Sequence, residues 1–161
     1  MASESVGTAI LVIAGVILAA MVSAALLSQA NLLDSSMRLA MMNAQNRLET
    51  SISIALASLN TTGAEKYFVI YVKNTGSRPI SSAELVKTDL YLVDDQHTVL
   101  MVYSSSGGYN KWNYTEVNPN GVWDVGETLV VKAFNSTSFS IPMRIVIALP
   151  NGIRAEYVYS G

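Results

Sequence analysis

The chain has 161 residues, a formal net charge of −2 and only 14% charged residues, and its mean hydropathy is positive at +0.33. It contains no cysteine and one histidine, His97, which rules out disulfides, thiolate metal sites and thiol nucleophiles. No run or stripe of Lys and Arg is present, so nucleic acid has no electrostatic footprint to meet.

The apolar excess is concentrated at the start. No charged residue lies between Glu4 and Asp34. Residues 6–27, "VGTAILVIAGVILAAMVSAALL", form a helix-length apolar run of about 33 Å at roughly 1.5 Å per residue, enough to cross a hydrocarbon core. The run is apolar all round, which fits burial in lipid or among like helices. Its small residues, among them Gly7, Ala14, Gly15, Ala19, Ser23 and Ala24, let helix backbones approach closely. A cleaved secretory signal would need a basic start, and "MASESV" has none. A retained helix is therefore expected.

Residues 28–59 contain neither Pro nor Gly. Leu33, Met37, Met41, Ala44, Leu48, Ile52, Leu56 and Leu59 recur at steps of three and four, which predicts an amphipathic continuation. Asp34 and Arg38 stand at i,i+4 on a different face, as a solvated pair should. The expectation is one helix from about residue 5 to 59, so that residues 1–59 form a hydrophobic N-terminal unit and residues 60–161 a second domain. The Met37, Met41 and Met42 cluster reads as packing.

"NTTGAE" breaks the helix at Asn60 and Gly63, and the hydrophobic period then changes to two. "KYFVIYVKN" alternates with both faces apolar, as a central strand does. Further strands are expected at Ser82–Lys87, Thr88–Val93, Thr98–Ser104, Tyr109–Tyr114, Thr128–Phe134, Phe139–Leu149 and Gly152–Tyr159, the last two joined by a tight turn at Pro150–Gly152. Pro142 marks an edge position or a strand start. The predicted architecture is a long N-terminal α-helix followed by an all-β immunoglobulin-like sandwich.

One stretch resembles a metal loop. In "EVNPNGVWDVGE", Glu116, Asn118, Asn120, Val122, Asp124 and Glu127 occupy positions 1, 3, 5, 7, 9 and 12 of a twelve-residue calcium loop, with Gly121 at the turn. Glu replaces the usual Asp at position 1, and no helices flank the segment. The alternative is a polar turn bent by Asn-Pro-Asn-Gly. Calcium is the only cofactor the sequence suggests. Asn60, Asn113 and Asn135 each open an N-x-[ST] acceptor for glycosylation, as in an exported domain. His97, after "DDQ", reads as a solvated turn residue, and Trp112 and Trp123 as sandwich packing. No phosphate loop, nucleophile elbow or catalytic carboxylate pair is found, so an enzyme is not expected.

The segments "SVGTAILVIAGVILAAMVSAALL", "YVKNTGSRPIS" (Tyr71–Ser81) and "WNYTEVNPNGVWDVGETLVV" (Trp112–Val131) resemble the archaeal archaellin, or archaeal flagellin, superfamily. Within it the short length and the "NTGSRPI" segment look more like the accessory proteins FlaG and FlaF than a major filament subunit. Major archaellins and archaeal pilins carry a short basic leader, and nothing basic precedes the apolar run here. Either there is no leader, or the sequence starts at the mature end. The resemblance implies a structural part of the archaellum, with a membrane anchor and an extracytoplasmic β domain at the archaeal cell surface. That domain would face surface-layer or archaellum proteins. Homo-oligomers are expected, residues 6–59 meeting either lipid or like helices. The alternative is a subunit of a type IV pilus-like filament with these helices packed in its core. Charge barely decides orientation, because Arg38 and Arg47 follow the span and no Lys or Arg precedes it.

Overall fold

Helix α1 runs from Ala2 to Glu49, 48 residues in all. The computed structural model describes residues 2–62, 66–135 and 139–161, with side chains from Ser5 onward. The chain divides into two compact units, residues 1–44 and 45–161. Along α1 the apolar side chains are exposed, and among the described residues it is the one helix long and apolar enough to cross a membrane. Three of its hydroxyls bond back within the helix: Ser23 donates to Ala19 O at 2.8 Å, Ser35 to Asn31 O at 2.9 Å and Ser36 to Leu32 O at 2.8 Å. Such back-bonding lets a hydroxyl sit in an apolar medium without an unsatisfied donor. The expected Asp34–Arg38 pair forms at 2.9 Å, with both side chains exposed.

The helix stops ten residues earlier than its periodicity predicts, at Glu49 instead of residue 59. Residues Ile52–Asn60 are strand β1, paired antiparallel to strand β2, Tyr67–Asn74. A bulge between Ile54 and Leu56 shifts the register, so Ile52, Ile54 and Ala57 are buried, Leu56 lies opposite Tyr71 on the outer face, and Leu59, opposite Phe68, is exposed near the end of the strand. An extra residue in an alternating strand breaks the period of two. Ile52, Leu56 and Leu59 imitate a helical stripe by their spacing of four and three, although Leu56 lies on the opposite face of the strand from the other two. The compact β unit accordingly begins at Gln45, and the boundary at 59/60 does not hold. The predicted breaker Gly63 lies outside the described residues.

The remaining elements are β3 (Ile80–Ser81), α2 (Ser82–Leu85), β4 (Asp89–Val93), β5 (Thr98–Tyr103), β6 (Lys111–Thr115), β7 (Val122–Trp123), β8 (Thr128–Phe134), β9 (Met143–Ala148) and β10 (Arg154–Tyr159). The stretch expected as a strand at Ser82–Lys87 begins instead as a helical turn. Ser81 accepts from Glu84 N while the Glu84 carboxylate accepts from Ser81 N, each at 3.3 Å. This reciprocal S-x-x-E capping satisfies two donors at once and overrides the strand pattern.

The strands follow the order β1-β2-β8-β6-β5-β4-β9-β10. β1, β2, β8 and β6 make one face of a sandwich, and β4, β9 and β10 with most of β5 make the other. β5 joins the two: Val93 to Leu90 of β4 pair with its first four residues, and Val102 and Tyr103 pair in parallel with Lys111 and Trp112 of β6. At the opposite side β1 lies beside β10. As expected, β2 is central, with Phe68, Ile70 and Val72 buried. The core between the sheets is closed by Leu90, Leu92, Leu129, Val131, Ile145 and Ile147, and by Trp112 and Trp123, 3% and 1% exposed. β9 starts directly after Pro142, and β9 and β10 form the expected hairpin through Pro150–Gly152.

Candidate functional site

The end of α1 is held by a clamp built from the turn after β2. Ser77 N donates to Glu49 O, a carbonyl that the helix end leaves open, and Thr75 N donates to Ser51 O just beyond it, both at 2.9 Å. The backbone of Gly76 comes so close that an added Cβ would lie 2.4 Å from Glu49 O and 2.7 Å from Ser51 N. Thr50, 4% exposed, is the hub. Its hydroxyl donates to Asn46 O and accepts from Arg78 Nε and Asn151 Nδ2, both at 2.9 Å. Arg78 also grips the Glu84 carboxylate, with Nη2 to Oε1 at 2.6 Å. The hydrogen bond from Arg78 holds the Glu84 carboxyl below its usual range, against the opposing effect of burial. Asn74, fully buried, donates to Arg78 O at 3.0 Å and Trp123 O at 3.2 Å, and accepts from Gly76 N at 3.1 Å. The motif "NTGSRPIS" is thus a cap for Gln45–Glu49 and a brace for the loop at Trp123.

That loop is the candidate calcium segment. Two of its three carboxylates, Glu116 and Glu127, are turned onto its own backbone. Glu116 accepts from Gly121 N at 3.0 Å, and Glu127 accepts from Asn118 N at 2.9 Å and Asp124 N at 3.0 Å. Asn120 bridges Asp124 Oδ2 at 2.9 Å and Val122 N at 2.8 Å. Val122 and Trp123 pair with Ser81 and Ile80 as the β3–β7 ladder. Among the described residues no group of three or more His, Cys, Asp or Glu side chains is arranged to hold a metal. What the six candidate positions build here is a self-bonded turn. It closes at its far end through Trp123 Nε1 to Glu127 O and Asn74 N to Glu127 O, both at 3.0 Å.

His97 lies in the β4–β5 turn and is about half exposed at 46%, as a turn residue should be. Asp94 and Asp95 are in that turn and not on a strand. The Asp94 side chain is enclosed and accepts from Ser140 N at 2.8 Å, Gln96 N at 2.9 Å, His97 N and the His97 ring. Desolvation pushes the Asp94 carboxyl up, but these donors outweigh it and bring the group down to about 2. Of the sequon asparagines, Asn60 ends β1, accepts from Thr62 N and donates to Tyr67 Oη, each at 2.8 Å. Asn113 faces outward from β6 opposite Lys132. Asn135 follows β8, and Ser136 and Thr137 of its sequon lie outside the described residues.

A family profile described as archaeal-type flagellin matches residues 2–159. The chain belongs to the archaeal-type flagellin family. This archaellin-type chain is 28% identical, over 99% of both sequences, to an uncharacterised protein of Archaeoglobus fulgidus. Its structure is similar to the archaellum periplasmic stator protein FlaG from Sulfolobus acidocaldarius: TM-score 0.54, 22% identity, 68% of this chain and 99% of that one. It is also similar to a chain of the FlaF and FlaG stator complex from the same organism: TM-score 0.53, 22% identity, 67% of this chain and 87% of that one. The archaellin-type β domain therefore has the fold of the stator protein. The resemblance drawn from "NTGSRPIS" and the 112–131 segment holds, and these two segments meet at Asn74.

Proposed function

We propose that this archaellin-type protein is a non-enzymatic, membrane-anchored part of the archaellum, with its β domain outside the cytoplasmic membrane and in contact with stator or surface-layer proteins. One observation carries the reading: a membrane-length apolar helix ends in a purpose-built clamp on a domain with the FlaG fold. Anchoring requires that a load on the helix reach the domain, and the Thr50–Arg78–Glu84 network with the two backbone bonds provides that path. An enzyme would require convergent titratable groups in a cleft, and the polar networks described here are structural.

A second reading has its own support. Between residues 28 and 49 the exposed apolar side chains fall on two opposed faces, with Leu33, Met37 and Met41 on one and Leu32 and Leu39 on the other. A helix of this kind outside lipid needs neighbours on both sides, as in the core of a polymer. The deciding experiment is negative-stain electron microscopy of the full chain in mild detergent, before and after detergent removal. Particles that stay small and re-enter liposomes support the anchor. Ordered filaments with a helical repeat support the polymer and overturn the anchor.

A further inference from the structure

We infer that the outer face of the β1-β2-β8-β6 sheet docks a second, different subunit through a surface with an apolar centre and a rim of carboxylates. The inference rests on the archaellum reading above and adds which face meets the partner. Register places Leu56, Tyr71 and Val130 in one outward row, and Val69 and Lys132 in the next. Leu56 is 50% exposed, and Val69, Tyr71 and Val130 are half-buried. Most sandwich strands with one solvated face alternate apolar and polar residues. β2 does not, since Tyr67, Val69 and Tyr71 make its outer side as apolar as its inner one.

Charge identifies the occupant. The four strands contain Lys73, Lys111 and Lys132 and no Asp or Glu. None of these lysines is used in an ion pair among the described residues, and Lys132 Nζ sits 5.8 Å above the Tyr67 ring. The opposite sheet is different: there Glu156 is shared by Arg144 at 3.7 Å and Arg154 at 3.5 Å, and Asp89 brings its strands to formal neutrality. A face with unmatched cations around an apolar centre is complementary to carboxylates around an apolar centre. A second copy using the same face would set lysines against lysines. A lipid surface is a poorer fit, because membrane-binding elements push an apolar ridge into the interface. Here the apolar side chains are half-buried in a sheet.

The test uses the full chain in detergent, with the purified FlaF-type subunit of the same cell as probe, and calorimetric titration at two salt concentrations. Lys132→Glu is expected to weaken binding by tenfold or more and to flatten its salt dependence. Lys132→Arg should bind like the parent, and Arg154→Glu on the opposite sheet should leave binding unchanged. Circular dichroism checks that each variant is folded. Parent binding that Lys132→Glu leaves intact overturns the docking face but not the archaellum reading. No binding by the parent overturns the face and the stator-partner part of that reading together. If sedimentation shows that Lys132→Glu abolishes self-association instead, the occupant is a second copy and the inference fails. It fails equally if the variant loses only its binding to anionic vesicles.

Discussion

Replacing Gly76 by alanine tests the clamp at its tightest point. The φ angle of Gly76 is not in the left-handed region, so any cost of the methyl comes from space and not from backbone conformation. The two atoms it would strike, Glu49 O and Ser51 N, are both backbone and cannot rotate away. The turn must therefore lift, and the two 2.9 Å bonds at the helix end are the first to lengthen. At about 1 kcal/mol per bond this costs roughly 2 kcal/mol. Alanine returns up to about 0.5–1 kcal/mol by restricting the unfolded chain, while residual strain acts the other way, leaving a net loss of about 1–2 kcal/mol. For a domain of this size that lowers Tm by about 4–10 °C. Fluorescence of Trp112 and Trp123, both buried in the core, follows the unfolding directly. Gly126→Ala is the matched contrast: nothing lies within 4 Å of the new Cβ, but φ is +81°, so its cost of roughly 1 kcal/mol is purely conformational. A Gly76→Ala protein as stable as the parent would refute the claim that the turn and helix end are in obligatory contact.

Three further outcomes follow from the geometry. Asp94 is held near 2 against its ordinary 3.8, so its stabilising contribution is complete above pH 4 and disappears as pH falls towards 2. Urea midpoints measured from pH 5 to 2 should fall less steeply in Asp94→Asn than in the parent. Glu127→Ala frees the amides of Asn118 and Asp124 and should cost about 1–2 kcal/mol in thermal melts. Because that carboxylate already has its donors, EDTA should leave the parent's Tm unchanged, and a calcium-dependent rise would restore the cation reading. Thr50→Val keeps the volume but removes the hydroxyl shared by Asn46, Arg78 and Asn151, and should cost about 2–3 kcal/mol by chemical denaturation.

The greasy helix, the central position of Tyr67–Val72 and the β9–β10 hairpin were legible in the sequence. Each is a local pattern: an uncharged run, a strict alternation, a turn tripeptide. The end of the helix was not legible, because its stop signal is non-local. No Gly or Pro lies within ten residues after Glu49; the cap comes from Ser77 N across a strand pair, with Gly76 allowing the close approach. The bulge after Ile54 then concealed the alternation that would have marked β1. The short α2 had a signal, the S-x-x-E at Ser81–Glu84, which strand propensity obscured. At the 116–127 loop the spacing of oxygen side chains suggests a calcium loop, with a polar turn as the alternative, and the structure shows these side chains bonded within a tight turn. What the oxygens bind depends on where the amides of Asn118, Gly121 and Asp124 point, and one-dimensional spacing does not encode that. The clamp residues Thr50, Arg78 and Asn151 went unnoticed because they come from three distant segments.

The way β5 divides its length between two neighbours has a consequence for assembly. A two-sheet sandwich normally has four free margins, each a row of unpaired amides and carbonyls that can recruit a strand from another chain. Here β5 seams one side by hydrogen bonds to both β4 and β6, and on the other side β1 and β10 lie against each other. The side seamed by β5 thus offers a foreign strand nothing to extend, and the outer margins of β1 and β10, adjacent but joined by no ladder, are the ones that remain. Away from those margins, contacts with neighbours are made by side chains on faces and tips. Such contacts can be tuned one residue at a time, and they can be broken without unravelling the fold that presents them.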